Sequence, residues 1–137
     1  MERISSVRFI RDESIIFIGK LSRRSEFTHE ERAKAIDDIA AAPDLLLAAV
    51  RGLTDDQLDT PYRPGGWTVR QLVHHVADSH MNAFLRFKLA LTGENPTIFA
   101  YPEDLWAELA DQKLPIEVSL PIVDNLRSEE RRVGKEC

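Results

Sequence analysis

Cysteine is almost absent from this chain: its one residue of that type, Cys137, is the last of 137, so no intrachain disulfide can form. That suits a reducing cytoplasm, where thiols stay free. Long apolar runs are also missing. No stretch approaches the roughly 20 residues needed to cross a bilayer. Ile15-Ile16-Phe17-Ile18 falls short of the roughly 7–15 apolar residues of a signal-peptide core. Arg3, Arg8 and Arg11 would suit a transit peptide, but Glu2, Asp12 and Glu13 count against one. Basic residues are not in surplus, since 18 Lys and Arg against 23 Asp and Glu leave a net charge of −5. A nucleic-acid surface needs the opposite balance. P-loop, Rossmann glycine pattern, CxxC pair and nucleophile elbow are all lacking. The expectation is a cytoplasmic protein with a small-molecule substrate and neither nucleic acid nor membrane as partner.

What is present reads as one all-helical domain, with 43% hydrophobic and 30% charged residues. Residues 1–27 have no sustained period and read as coil, with Ile15 to Ile18 either a short strand or an apolar segment lying on the body. Thr28-His29-Glu30-Glu31 has capping-box spacing and opens a first helix. Ile36, Ile39, Leu46, Leu47 and Val50 then recur at helical intervals. Pro43 predicts a kink or break inside that run, and Gly52 a stop. Thr54 to Gln57 repeats the capping pattern and predicts one short turn. Asp59 to Gly66, with Pro61, Pro64 and Gly65-Gly66, reads as a loop.

A second helix starts after Thr68, capped by Gln71, and runs without Pro or Gly to Gly93. At about 100° per residue, Val69, Leu72, Val73, Val76, Ala83, Phe84, Phe87 and Leu91 share a broad apolar face. His80 falls within that face. His75, Ser79, Asn82 and Arg86 form a polar strip along its margin, while His74 and Asp78 fall toward the outside. Pro102 to Leu109 predicts a short helix. Residues 116–126 have helical spacing that Pro121 interrupts. An antiparallel bundle is the simplest way to bury such stripes.

His75 is the candidate with most chemistry, because a neutral imidazole beside a bundle core can ligate Zn or Ni. A half-exposed marginal histidine is the commoner use of that position. His80 reads as a core histidine satisfied by one hydrogen bond, and His74 and His29 as surface residues. His75 and His80 are five apart, so the i, i+4 pair of a metal helix is missing. Glu103-Asp104 opens a short helix, where negative charge suits the dipole. Arg63 and Arg86 could hold an anionic group, although ordinary ion pairs are the commoner role.

The segment from Leu58 to Gln71, LDTPYRPGGWTVRQ, continuing through His74-His75-Val76-Ala77-Asp78-Ser79-His80-Met81-Asn82, resembles the DinB-like superfamily. Within it the likeness is to the YfiT branch, described as metal-dependent hydrolases. Arg86 to Thr92, Glu94 to Ile98 and Trp106 to Leu109 continue it. The resemblance covers residues 18–126, read as an incomplete DinB-like helical domain. Residues 1–17 read as an N-terminal extension that the family pattern does not support, and residues 127–137 as a non-family tail. That tail, RSEERRVGKEC, looks like the translation of a sequencing-adapter oligonucleotide.

The resemblance implies an antiparallel four-helix bundle holding a divalent metal, Zn or Ni, on three histidines. One ligand comes from the second helix, eight residues after the motif Trp and next to another His, which here is His75. The other two, an HxxxH pair on the last helix, have no counterpart, so that helix reads as missing from this chain and metal binding as weak or absent. Ser79, Asn82 and Arg86 would line the pocket. The activity implied is metal-assisted hydrolysis, in which a metal-bound water attacks a polarised substrate. The alternatives are a metal-dependent S-transferase using a bacillithiol-type thiol, and a non-catalytic helical module that binds a partner or forms a homodimer.

Overall fold

The computed structural model describes the backbone of residues 8–11 and 14–17 and the whole of residues 26–126. The non-family tail expected at 127–137 lies outside the described residues, as does the expected extension apart from its two strands. Those strands correct the coil reading. β1 (Arg8–Arg11) pairs antiparallel with β2 (Ser14–Phe17), with Phe9 opposite Ile16 and Ile10 opposite Ile15. Both carry the β-branched and aromatic residues that favour extended pairing. The other described residues form helix, 3-10 turn and loop, with one isolated antiparallel bridge between Pro61 and Thr68.

Helix α1 (His29–Val50) starts where its capping box dictates: Thr28 Oγ1 accepts from Glu31 N at 3.1 Å, and Glu31 Oε2 accepts from Thr28 N at 2.9 Å. Pro43 does not break it. The missing N–H forfeits one hydrogen bond, but Pro43 is buried and contributes packing in exchange. Arg51 closes the helix, and Gly52 then takes the left-handed conformation (φ 77°) that sends the chain away. α2 (Asp55–Leu58) is the expected single turn, with a second reciprocal capping box between Thr54 and Gln57. The loop after it folds back on itself. Gly66 N donates to Arg63 O at 2.9 Å around Pro64 and a left-handed Gly65 (φ 67°), the residue pattern of a type II turn. Tyr62 N to Trp67 O and Val69 N to Thr60 O, at 3.1 and 3.2 Å, close the loop at its base.

Helix α3 (Val69–Thr92) carries the third capping box, between Thr68 and Gln71. Its first half is buried. Val73 packs with Val50, Leu58 and Ile116, and Leu46, Leu53, Val69 and Leu120 lie partly buried around them. Burying side chains of this size contributes about 1.5–3 kcal/mol each. Its second half is only partly covered: Ala83, Phe84 and Phe87 are half-buried, while Met81, Leu85, Leu89 and Leu91 are exposed. After α4 (Glu103–Trp106), two 3-10 turns, Ala110–Lys113 and Ile116–Val118, lead into a helix, α5, running from residue 120 to 126. Pro121 sits in the first turn of α5, where its missing N–H costs nothing. Among the described residues no helix is long and apolar enough to cross a membrane.

Polar side chains of α3 hold the non-helical segment between α4 and α5. His74 is buried, not outward-facing, at 3% exposure. Its Nε2 donates to the Leu114 carbonyl at 3.0 Å, which leaves Nδ1 of the neutral ring to accept from Ser119 Oγ at 2.7 Å. One turn earlier, Arg70 donates to Asp59 and Asp55 at 2.7 Å each and to the Leu114 carbonyl at 3.4 Å. These bonds hold the Arg70 guanidinium protonated and hold the Asp59 carboxyl below its usual range. Gln71 Nε2 donates to Ala107 O at 2.7 Å, and Gln112 Nε2 to Asp78 Oδ2 at 3.3 Å. His80, expected in the core, is only half-buried.

Because truncating His74 strands the buried Ser119 hydroxyl and leaves the Leu114 carbonyl only the long 3.4 Å bond from Arg70, His74→Ala is expected to destabilise by about 2–4 kcal/mol. His80→Ala should cost about 1 kcal/mol or less. Urea unfolding of both variants checks this, and equal losses would contradict the placement of His74.

Candidate metal centre

His75 lies one residue beyond the buried stripe, and the 100° step turns it to a different wall of α3. The closed loop after α2 brings Trp67 against it, with ring centroids 4.6 Å apart and planes tilted by 56°. One helical turn on, Ser79 Oγ lies 3.2 Å from His75 Nε2 and 3.0 Å from the Tyr101 hydroxyl. Tyr101 packs on Trp106 at 4.6 Å between centroids and lies 6.4 Å from the His75 ring. A continuous chain therefore runs from the Tyr101 hydroxyl through Ser79 to the imidazole, with aromatic rings on both sides. The ring is half-buried and fixed in orientation, as metal-ligating histidines characteristically are.

The polar strip expected from helical spacing is only partly brought together. Ser79 and Arg86 share one cleft with Tyr101. Asn82 instead turns back, donating from Nδ2 to the Asp78 carbonyl at 2.8 Å. Arg63 bonds the neighbouring Tyr62 hydroxyl at 3.0 Å. The sequence reading missed the structural strip at 70, 74 and 78. Its signal was present, since Arg70, His74 and Asp78 follow one another at i, i+4 and i+8.

The donor set does not close a metal site. All four histidines of the sequence are among the described residues. His29 is exposed at the start of α1, and His74 has both ring nitrogens committed. Among the described residues no group of three or more His, Cys, Asp or Glu side chains could hold a metal ion. One imidazole beside two hydroxyls falls short of the three or four donors that bind Zn tightly.

Asp78, below the histidines, has its pKa raised by burial first and by the Asp111 carboxylate second; the Gln112 hydrogen bond and the two histidines oppose the shift. The folded state therefore binds this proton more tightly than the unfolded chain. Its stabilising effect is complete below the ordinary value of 3.8 and is lost as pH rises through the folded-state pKa. Among the described residues the buried Oε1 of Gln112 has no partner. Asp78→Asn removes the charge and offers Oε1 a donor. The variant should be more stable than the parent at pH 7, with the gap narrowing toward pH 3; urea midpoints across that range test the sign.

A sequence profile of the DinB superfamily matches residues 38–131. A protein of Bacillus cereus (strain B4264), named as a candidate metal-dependent hydrolase, is 54% identical over 109 residues, which are 80% of this chain and 63% of that protein. One of Bacillus mycoides (strain KBAB4), similarly named, matches at the same identity and coverage. Among solved structures, YfiT from Bacillus subtilis is described as a probable metal-dependent hydrolase with an unusual four-helix bundle topology. It superposes with a TM-score of 0.82 at 45% identity, over 88% of this chain and 69% of that one. The match thus spans less than two thirds, 63%, of the length of these curated relatives.

Proposed function

This chain belongs to the DinB superfamily, and we propose that it carries part of a metal-dependent hydrolase, with His75 as one ligand of a divalent ion, Zn or Ni. The observation that carries the reading is the local setting of His75. It follows Trp67 by eight residues, packs at a tilt against that ring at 4.6 Å, and bonds Ser79, while its neighbour His74 is spent on structure. The names of the relatives support metal dependence and hydrolysis as the reaction class, and name no particular metal. A small molecule is the expected substrate, and the single cysteine favours a cytoplasmic setting.

The parts present would fix the ring and shape its surroundings. Trp67 and Tyr101 restrict the imidazole to one orientation, and Ser79 holds Nε2 until a stronger partner competes for it. A Ser79 hydroxyl that accepts from Tyr101 and donates to Nε2 holds that nitrogen toward Ser79 and fixes the ring's orientation. Among the described residues the donors of a three-imidazole site are not brought together.

Titration of the purified full chain with Zn²⁺ or Ni²⁺, followed by metal analysis after gel filtration, tests the assignment. Binding is expected to be weak and to drop by about tenfold or more in His75→Ala, but to persist in His29→Gln and His80→Gln. Affinity unchanged by His75→Ala would sink it. Metal-dependent turnover of activated esters or amides without consumption of added thiol separates hydrolysis from thiol transfer.

A further inference from the structure

We propose that Arg86 is the anchor for an oxyanion, a carboxylate or phosphoryl group, on the ligand that enters the cleft beside His75. The cleft, of about 950 Å³, is lined by Ser79, Arg86, Tyr101, Glu103, Asp104 and Leu105. Arg86 is set apart from the other arginine of α3. Arg70 is neutralised by two aspartates at 2.7 Å each, whereas among the described residues Arg86 has no carboxylate within ion-pair distance. Among the described residues its one hydrogen bond goes from Nη2 to the Phe99 carbonyl at 3.1 Å, and its buried Nε–H finds no partner there. Its guanidinium carbon stands 6.0 Å from the centroid of the Tyr101 ring.

Five fixed donors with one used make an open fork, the geometry that receives a carboxylate or phosphate with two parallel bonds. A half-buried cation with a stranded donor is costly to maintain, and an incoming oxyanion removes that cost. Glu103 and Asp104 line the same cleft. They open α4, where the helix dipole suits them, and neither bonds Arg86.

Arg86 lies eleven residues beyond His75, three turns along the same wall of α3. Their Cα atoms are about 16 Å apart at 1.5 Å rise per residue. Ser79 and Tyr101 form the floor between them. A ligand held at Arg86 by its anionic end would lay its body across Tyr101 toward the imidazole. Calling that ligand the substrate rests on the reading of His75 as a metal ligand; the anion site itself does not.

The test therefore uses metal-free full-length chain. Benzoate and phenyl phosphate are titrated while NMR follows the Arg86 Nε–H signal and the Tyr101 ring. At least one anion is expected to shift both saturably, with affinity about tenfold weaker or lost in Arg86→Gln and partly kept in Arg86→Lys. Silence from both anions, an unchanged response in Arg86→Gln, or the same shifts produced by benzylamine would overturn the proposal. The benzylamine result would mean that Glu103 and Asp104 set the charge of the cleft. The parent Nε–H signal reads the site even if a variant fails to fold. Failure here leaves the metal titration of His75 untouched.

Discussion

The fold depends on one carbonyl. Leu114 O sits in a stretch that neither helix nor sheet satisfies, and α3 supplies its partners, His74 Nε2 at 3.0 Å and Arg70 Nη1 at 3.4 Å. A carbonyl shielded from water and left without a donor costs about 1–3 kcal/mol, so the donors on Arg70 and His74 favour docking the segment at this point of α3. Once it lies there, Ile116 is delivered to Val50, Leu58 and Val73 to complete the core. Ser119, bonded to the same imidazole, starts the turn into α5. The aliphatic core and the polar seam therefore form together. Hydrophobic burial supplies the driving force, and the seam selects the register.

The same seam explains why two adjacent histidines have different fates. Residues 70, 74 and 78 advance by four along α3 and share one wall; 75, 79 and 86 share the next, about 100° round. The first wall is consumed by backbone carbonyls, aspartates and Gln112. Against the second the chain lays aromatic rings on loops: Trp67 before the helix and Tyr101 after it. One helix thus separates structure from candidate chemistry by a rotation of a single residue.

What could be read in advance was local. All three capping boxes were visible because each is a four-residue pattern with both partners inside it. The position of His75 on the margin of α3 followed from helical spacing. What could not be read depended on partners far along the chain. His74 was placed outside because periodicity locates a wall without saying what covers it; its partners are 40 and 45 residues away. Pro43 looked like a break because its cost is local while its burial is tertiary. Pro121 looked disruptive inside a helix spanning 116–126, but α5 begins only after Ser119, which moves that proline into a first turn.

The distal half of α3 presses the argument furthest. From Met81 to Leu91 only Asn82, Arg86 and Lys88 are polar, so apolar residues face nearly every direction. A helix apolar all round is one that is covered on all sides. The described residues half-bury Ala83, Phe84 and Phe87 and leave Met81, Leu85 and Leu89 exposed. Yet Arg86 stands within this apolar stretch, on the wall of His75, and among the described residues its charge goes unmatched. Surrounding it with hydrocarbon strengthens any bond it makes to an oxyanion, since the same lowered dielectric that penalises a lone cation rewards a paired one. A partner laid over this half of α3 would therefore also tune the oxyanion affinity proposed for Arg86.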